Sequence, residues 1–244
     1  MIAFCQSAPP LDETLIGCRM QTLLACYGTL PNGVDWYQSG AGGVLCRFGG
    51  TLLIDGDADF NELLAFADML GTARIEWVTG SAGAPFLPSG WTSQSYPVLC
   101  SIGAALAQPP IFETNVALRR CFELLCQSDA QFSREAQYLP WLSDMTRRRN
   151  AGRTMVFTLS DAAVACITAR GRHSAYLSSV AVLPGRQGEG LGLALVRSVT
   201  AHPALRGVAI YTAAQTVALG AFYKKAGFAV LPQYLTIAEK RILA

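Results

Sequence analysis

From Ser179 to Leu193 the chain reads Ser-Val-Ala-Val-Leu-Pro-Gly-Arg-Gln-Gly-Glu-Gly-Leu-Gly-Leu. A β-rich run ends at Pro184, a glycine-rich loop follows, and a helix carrying Leu193, Leu195, Val196 and Val199 begins inside that loop. Strand, glycine turn and helix start together make an anion site. The first amides of a helix lack internal acceptors, and the helix dipole puts about half a positive charge beside them. Gly188, Gly190 and Gly192 present no Cβ to a bulky diphosphate. Two other phosphate motifs are excluded. No Lys follows the glycines as a Walker loop requires, and Gly188-x-Gly190-x-Gly192 lacks the spacing of the dinucleotide fingerprint. On these residues alone, a glycine turn that merely starts a helix fits as well.

The surrounding pattern is mixed α/β. Helices are expected over residues 115–127 and 133–150, with Ser133 as a weak cap. Strands are expected over 154–159, 162–168 and 175–183, then a helix over 190–201, a strand over 208–213, and a helix over 217–226. Closing strands at 228–231 and 235–238 complete an order ααβββαβαββ around one sheet. Upstream, residues 11–27 read as a helix with a cap in Asp12-Glu13-Thr14. Val44–Phe48 and Thr51–Ile54 read as a hairpin around Gly49-Gly50. Residues 59–70 read as an amphipathic helix and 74–79 as a strand. Residues 80–110 are rich in Gly and Pro, with one apolar run at 96–102, which suits a border near Pro110. The expected division is therefore a smaller α/β domain over 1–110 and a second α/β domain over 111–244.

The loop sequence Gln187-Gly188-Glu189-Gly190-Leu191-Gly192 resembles the [RQ]-x-x-G-x-[GA] signature of the GNAT superfamily of acyl-CoA N-acyltransferases. Val180-Ala181-Val182-x-Pro184 looks like that family's strand leading into the loop. Tyr223-Lys224-Lys225-Ala226-Gly227-Phe228 resembles its second helix end. The resemblance spans about Phe112 to Ala244. It implies a GNAT-like fold that uses acetyl-CoA without a metal. Backbone of Val180, Ala181 and Val182 would pair with the pantetheine arm as an added strand. The amides from Gln187 through Gly188, Glu189, Gly190 and Leu191 to Gly192 would hold the diphosphate. Tyr223 would protonate the departing thiolate, a phenol of pKa near 10 serving a thiol of about 8.5. Two departures stand out. Where members often carry Asn at the start of the helix before that tyrosine, this chain has Thr216, which could cap the helix and touch the cofactor. The strand before the loop, Ala175-Tyr176-Leu177-Ser178-Ser179, carries no carboxylate, leaving deprotonation to water relayed by Tyr176, Ser178 or Ser179 or to a group from elsewhere in the chain. His173 is expected to be merely solvated.

Composition narrows the alternatives. Hydrophobic content of 51% against 15% charged residues excludes a disordered chain, and a net charge of +2 gives no footprint for nucleic acid. Arg147-Arg148-Arg149 with Arg153 is expected to be a solvated helix end. No run approaches the roughly 20 apolar residues of a membrane span, and the first ten residues lack a signal-peptide pattern, so a cytosolic protein is expected. Eight cysteines without a C-x-x-C pair, and two histidines, argue for buried thiols over a zinc site. Asp55-Gly56-Asp57-Ala58-Asp59 lacks the closing Glu of a calcium loop and reads as a turn into a helix cap. Trp36, Trp77, Trp91 and Trp141 read as packing residues. Three functions stay open. One is an N-acetyltransferase for a small amine or amino-acid-like acceptor, with the N-terminal domain a degenerate acyltransferase half or a cap over the acceptor site. The second is a non-catalytic acyl-CoA sensor or partner-binding module. The third is an enzyme that modifies protein lysines or N-termini, which an acidic acceptor channel would favour. The sequence sets neither the acceptor nor the oligomeric state.

Overall fold

The computed structural model describes residues 1–29, 34–80, 87–103 and 116–240. The border expected near Pro110 lies outside them. Eleven strands form one sheet: β1 (Ala3–Cys5), β2 (Asp35–Gln38), β3 (Val44–Phe48), β4 (Thr51–Asp55), β5 (Arg74–Thr79), β6 (Trp91–Ile102), β7 (Met155–Leu159), β8 (Ala163–Arg170), β9 (Ser174–Val182), β10 (Ala209–Ala213) and β11 (Ala229–Lys240). Among the described residues seven helices flank it: α1 (Leu15–Tyr27), α2 (Phe60–Met69), α3 (Leu118–Ser128), α4 (Ala130–Glu135), α5 (Tyr138–Asn150), α6 (Leu191–Thr200) and α7 (Val217–Lys225). The sheet order is β1-β2-β3-β4-β5-β11-β6-β10-β9-β8-β7.

That order contains a repeat invisible to sequence periodicity. In the first half β2, β3 and β4 run antiparallel, α2 crosses over, and β5 returns parallel to β4. In the second half β7, β8 and β9 do the same, α6 crosses over, and β10 returns parallel to β9. Each half then gives its last strand to the other. β6 pairs with β10, β11 pairs with β5, and β6 and β11 pair with each other, all antiparallel. The apolar run expected inside a linker is thus a twelve-residue strand at the centre of the sheet.

Packing follows the two-residue period of a strand. On β8, Ala163, Ala165 and Ile167 face Leu195, Val196 and Val199 of α6, while Val164 and Cys166 face Cys121, Leu124 and Leu125 of α3 with Met145 of α5. Each of the larger side chains so buried contributes roughly 1.5–3 kcal/mol. Leu99 of β6 joins the α6 side of that core, so the first half supplies part of the second half's interior.

Several boundaries differ from the sequence pattern. The helix expected over 133–150 is two helices, because the Pro140 ring would clash with the carbonyl four residues back and restarts the helix at Tyr138. Asp129, not Ser133, caps α4, its carboxylate accepting from the Phe132 amide at 3.0 Å. The two closing strands are one, β11, whose register shifts between Val230 and Tyr234 around Pro232. The short strands β1 and β2 carry no readable alternation. Thr14 caps α1 and Asp59 caps α2, as the acidic turn suggested.

The arginine run is only partly solvated: Arg147 is exposed, and Arg148, Arg149 and Arg153 are half-buried and bonded. Arg147 lies over the Tyr27 ring at 4.7 Å, Arg148 bonds Asp144 and the Thr168 carbonyl, Arg149 the Val116 carbonyl, and Arg153 the Arg170 carbonyl. Helix α1 also ties the halves: the Thr22 hydroxyl accepts from the Arg170 amide at 2.8 Å, and Glu13 accepts from the His173 amide and the Ser174 hydroxyl. Trp36, Trp77 and Trp91 are buried, as expected, whereas Trp141 is half-buried and lines a cavity. All eight cysteines are free. No helix among the described residues is long and apolar enough to cross a membrane.

Candidate active site

The parallel strands β9 and β10 pair only from Ser174 to Tyr176. Beyond that point β9 continues to Val182, hydrogen-bonded to β8 on one side alone. The backbone edge of Leu177 to Val182 that faces β10 is therefore unpaired, a template for an extended chain. Ser178 steps out of register with β8, since Cys166 partners Ser179 and Ile167 partners Leu177. Such a bulge bends a strand away from its ladder. The Thr168 hydroxyl donates to Ser178 Oγ at 2.8 Å and steadies it.

At the end of β9 a 3-10 turn, Pro184–Arg186, leads into the glycine loop. Gly188 and Gly190 have φ of +85° and +79°, with open space where a Cβ would stand. They are needed for left-handed backbone. Gly192 serves a different purpose from the one its sequence suggested, because a Cβ there would come within 3.2 Å of Val182 Cγ2 and 3.6 Å of the Phe222 ring. It lets α6 close against β9 and α7. The amides of Gly188, Glu189, Gly190, Leu191 and Gly192 donate to no acceptor among the described residues. The Gln187 amide is taken up by the Pro184 carbonyl at 3.4 Å, and its side chain reaches the Val182 carbonyl at 3.3 Å. Arg186 and Glu189 pair across the loop at 2.6 Å.

Beside the open edge lies a cavity of about 250 Å³. Ser178, Ser179, Val180, Ala181 and Tyr223 line it from the second half, with Asp129 at the α3–α4 junction. Tyr223 is 5% exposed and packs against Phe222 and Phe228 at 5.2 and 5.5 Å between ring centroids. Core packing and contact with the cavity thus coexist in one side chain. Burial pushes its phenol up, opposed by a hydrogen bond from Thr212. Thr216 caps α7, its hydroxyl accepting from the Leu219 amide at 3.1 Å, and lines a separate groove with Ala221 and Lys224. His173 is exposed and outside these cavities.

The first half contributes what sequence reasoning missed. Arg19 of α1, Arg74 and Glu76 of β5 and Tyr96 of β6 line the same cavity. Glu76 is 4% exposed and accepts from Arg19 Nη1 at 2.5 Å and Arg74 Nε at 2.7 Å. Burial opposes its ionisation, but the charges and hydrogen bonds of Arg19 and then Arg74 prevail and hold its carboxyl at about 2. The Arg19 guanidinium lies 5.5 Å from the Tyr176 ring centroid. Burial, against the Arg19 charge, pushes the Tyr176 phenol up to about 12. The one signal for this cluster was a Glu amid Ile75, Trp77 and Val78 in an otherwise apolar strand.

With this geometry in view, comparison with known proteins decides the lineage. Residues 150–230 match the family model of the acetyltransferase (GNAT) domain. Those residues form a GNAT-superfamily domain in the C-terminal part of the chain. It is therefore an acyltransferase domain, as its two motifs implied. No curated protein matches the chain. Solved structures resemble it in fold over nearly its whole length. A GCN5-related N-acetyltransferase from Kribbella flavida aligns with 92% of this chain and 94% of its own at 12% identity and a TM-score of 0.56. A GCN5-related N-acetyltransferase from Sphaerobacter thermophilus aligns with 97% and 95% at 14% identity and 0.52. A putative GNAT-family acetyltransferase from Novosphingobium aromaticivorans aligns with 84% and 90% at 20% identity and 0.51. The fold likeness thus takes in the first half as well as the GNAT domain.

Proposed function

We propose that this protein transfers an acetyl group from acetyl-CoA to the primary amine of a small acceptor, in the cytoplasm, with residues 111–244 binding the donor and residues 1–110 walling the acceptor site. The observation that carries the reading is the unpaired edge of β9, which runs from the cavity at Ser178 to the free amides of the loop at Gly188–Gly192. An extended arm with amides suits that edge, and a diphosphate suits those amides. Among its described residues, the first half offers no such place at the corresponding strand and turn. Thr51 to Ile54 of β4 are paired on both sides, and the turn into α2 carries Asp57 and Asp59, which repel a diphosphate.

Bound acetyl-CoA would supply a thioester, whose C–S bond breaks as the C–N bond to the acceptor forms. Val180, Ala181 and Val182 would align the arm, and the bulge at Ser178 would bring its reactive end to the cavity. Tyr223 would donate a proton to the departing sulfur, a phenol raised by burial still being drawn on by a thiolate in a dry site. Glu76, held at about 2, is too acidic to take the acceptor's proton at neutral pH. That proton passes instead to water at Ser178 and Ser179, the Ser178 hydroxyl lying 3.3 Å from that of Ser179.

A thermal-shift titration with acetyl-CoA, coenzyme A and ATP tests the donor. Ligand at 100 times its Kd stabilises by about 2.7 kcal/mol, or roughly 5–10 °C at this chain length. A shift with both CoA species and none with ATP is expected, followed by amine-dependent release of thiol. No shift with any of the three sinks the reading. Binding without turnover of any amine would instead favour an acyl-CoA sensor.

A further inference from the structure

A second cavity, of about 360 Å³, adjoins the first and shares Arg19, Glu76, Tyr176 and Ser178 with it. Arg19 is thus a wall residue of both cavities. Leu23, Phe48, Leu53, Trp141 and Met145 give the second cavity an apolar wall. Its remaining charges are spoken for: Asp144 accepts from Tyr27 and from Arg148 at 2.9 Å, and Arg148 also donates to the Thr168 carbonyl at 2.8 Å. Arg19 differs. Only Nη1 is used, by Glu76, while Nε–H and Nη2–H have no acceptor among the described residues. Those two donors form the side-on fork of a guanidinium, whose spacing matches the two oxygens of a carboxylate. The guanidinium is already fixed by Glu76 and by the Tyr176 ring, so little side-chain freedom is lost on binding. Arg74 spends a second donor on exposed Glu239, so the two guanidinium groups meet two carboxylates and the open donors of Arg19, rather than any surplus of charge, are what a ligand would find.

We infer that the acceptor is an amino-acid-like molecule, an amine that also bears a carboxylate, with that carboxylate bound on the Nε/Nη2 fork of Arg19 and its apolar body in the second cavity. The proposal rests on the acetyl-transfer reading above. Glu76, satisfied by two guanidinium groups, holds Arg19 in place and does not take the acceptor's ammonium. Seated on Arg19, which borders both cavities, the carboxylate directs the amine toward the bulge at Ser178, where the arm on β9 ends.

The experiment measures thiol release from acetyl-CoA with amines offered in pairs, each carboxylate beside its carboxamide: leucine and leucinamide, phenylalanine and phenylalaninamide, 4-aminobutyrate and 4-aminobutyramide. In the full chain the best carboxylate is expected to exceed its amide at least ten-fold in kcat/KM. Arg19→Gln should erase that preference and Arg19→Lys should keep part of it, since Lys retains the charge but not the fork. A thermal shift with acetyl-CoA shows that each variant is folded and binds donor. Equal use of both members, preference for the amides, turnover of neither series, or an equal loss for both in Arg19→Gln would each overturn the proposal. If the wild-type chain shows no acetyl-CoA shift at all, the donor reading fails rather than the Arg19 assignment alone.

Discussion

Tyr176 and Tyr211 are the last residues at which β9 and β10 pair. On the far side of β10, pairing with β6 runs on to Ala213 and Val98, so it is β9 that departs from the sheet. The gap at the centre of the GNAT domain is thus built by one strand leaving its parallel neighbour while staying bonded to β8.

Tyr223 stands at the edge of that gap, which separates two roles for it. If its hydroxyl serves the leaving sulfur, Tyr223→Phe keeps the ring packed on Phe222 and Phe228 and removes the proton alone. Turnover should fall about 10²-fold or more, with acetyl-CoA binding within about two-fold of wild type. Steady-state kinetics beside a binding titration decide it, and a collapse of binding would make the residue structural.

The loop can be tested through one backbone angle. Gly190 caps α6 at φ +79°, a conformation that costs a residue with a Cβ roughly 1–2 kcal/mol. Gly190→Ala should lower stability by about that much and turn the amides of Leu191 and Gly192 off their common aim. Acetyl-CoA affinity should drop at least five-fold, read by titration at a temperature where the variant is fully folded.

Glu76 makes an acid-limb prediction. Its carboxyl sits at about 2 in the fold, against 4.5 when free. A lowered carboxyl stabilises above its unfolded value and loses that contribution as pH falls through the folded one. On the order of 3 kcal/mol should therefore fade between about pH 4.5 and pH 2. Denaturant melts across that window should show the slope in wild type and a shallower one in Glu76→Gln, which at neutral pH is already weakened by leaving Arg19 and Arg74 without their anion. Parallel slopes would mean that Glu76 gains nothing from its two partners.

The second half was legible because its signals are local. The loop at Gly188, the cap at Thr216 and the apolar run of β8 are each written within a dozen residues. Tyr176, Ser178 and Ser179 were also in reach, as polar residues on the strand before the loop. The acceptor side was not. Arg19, Arg74 and Glu76 meet Tyr176 only because α1 lies across β8 and β9 and because β5 and β11 are neighbours, relations with no period in the chain. β6 was half hidden for a similar reason: Pro97, a residue that breaks most central strands, sits where its register partner Tyr234 adjoins a bulge.

That exchange of β6 and β11 carries the last prediction. Leu99 of β6 is 0% exposed and packs with Phe157, Ile167 and Leu195 in the core under α6. A piece comprising residues 111–244 would lose that side chain and leave β10 and β11 without their shared neighbour, two bare edges in the middle of the sheet. Made alone, it should aggregate or melt without a cooperative transition. Co-expressed with residues 1–110 it should be recovered as a one-to-one complex by size exclusion. Within the full chain, Leu99→Ala should cost about 2–5 kcal/mol, the range for a buried leucine, though it lies outside the segment that matches the GNAT model. A soluble, cooperatively melting monomer of 111–244 would show instead that β6 is an accessory to the GNAT domain, and that its place between β10 and β11 can be closed by those strands themselves.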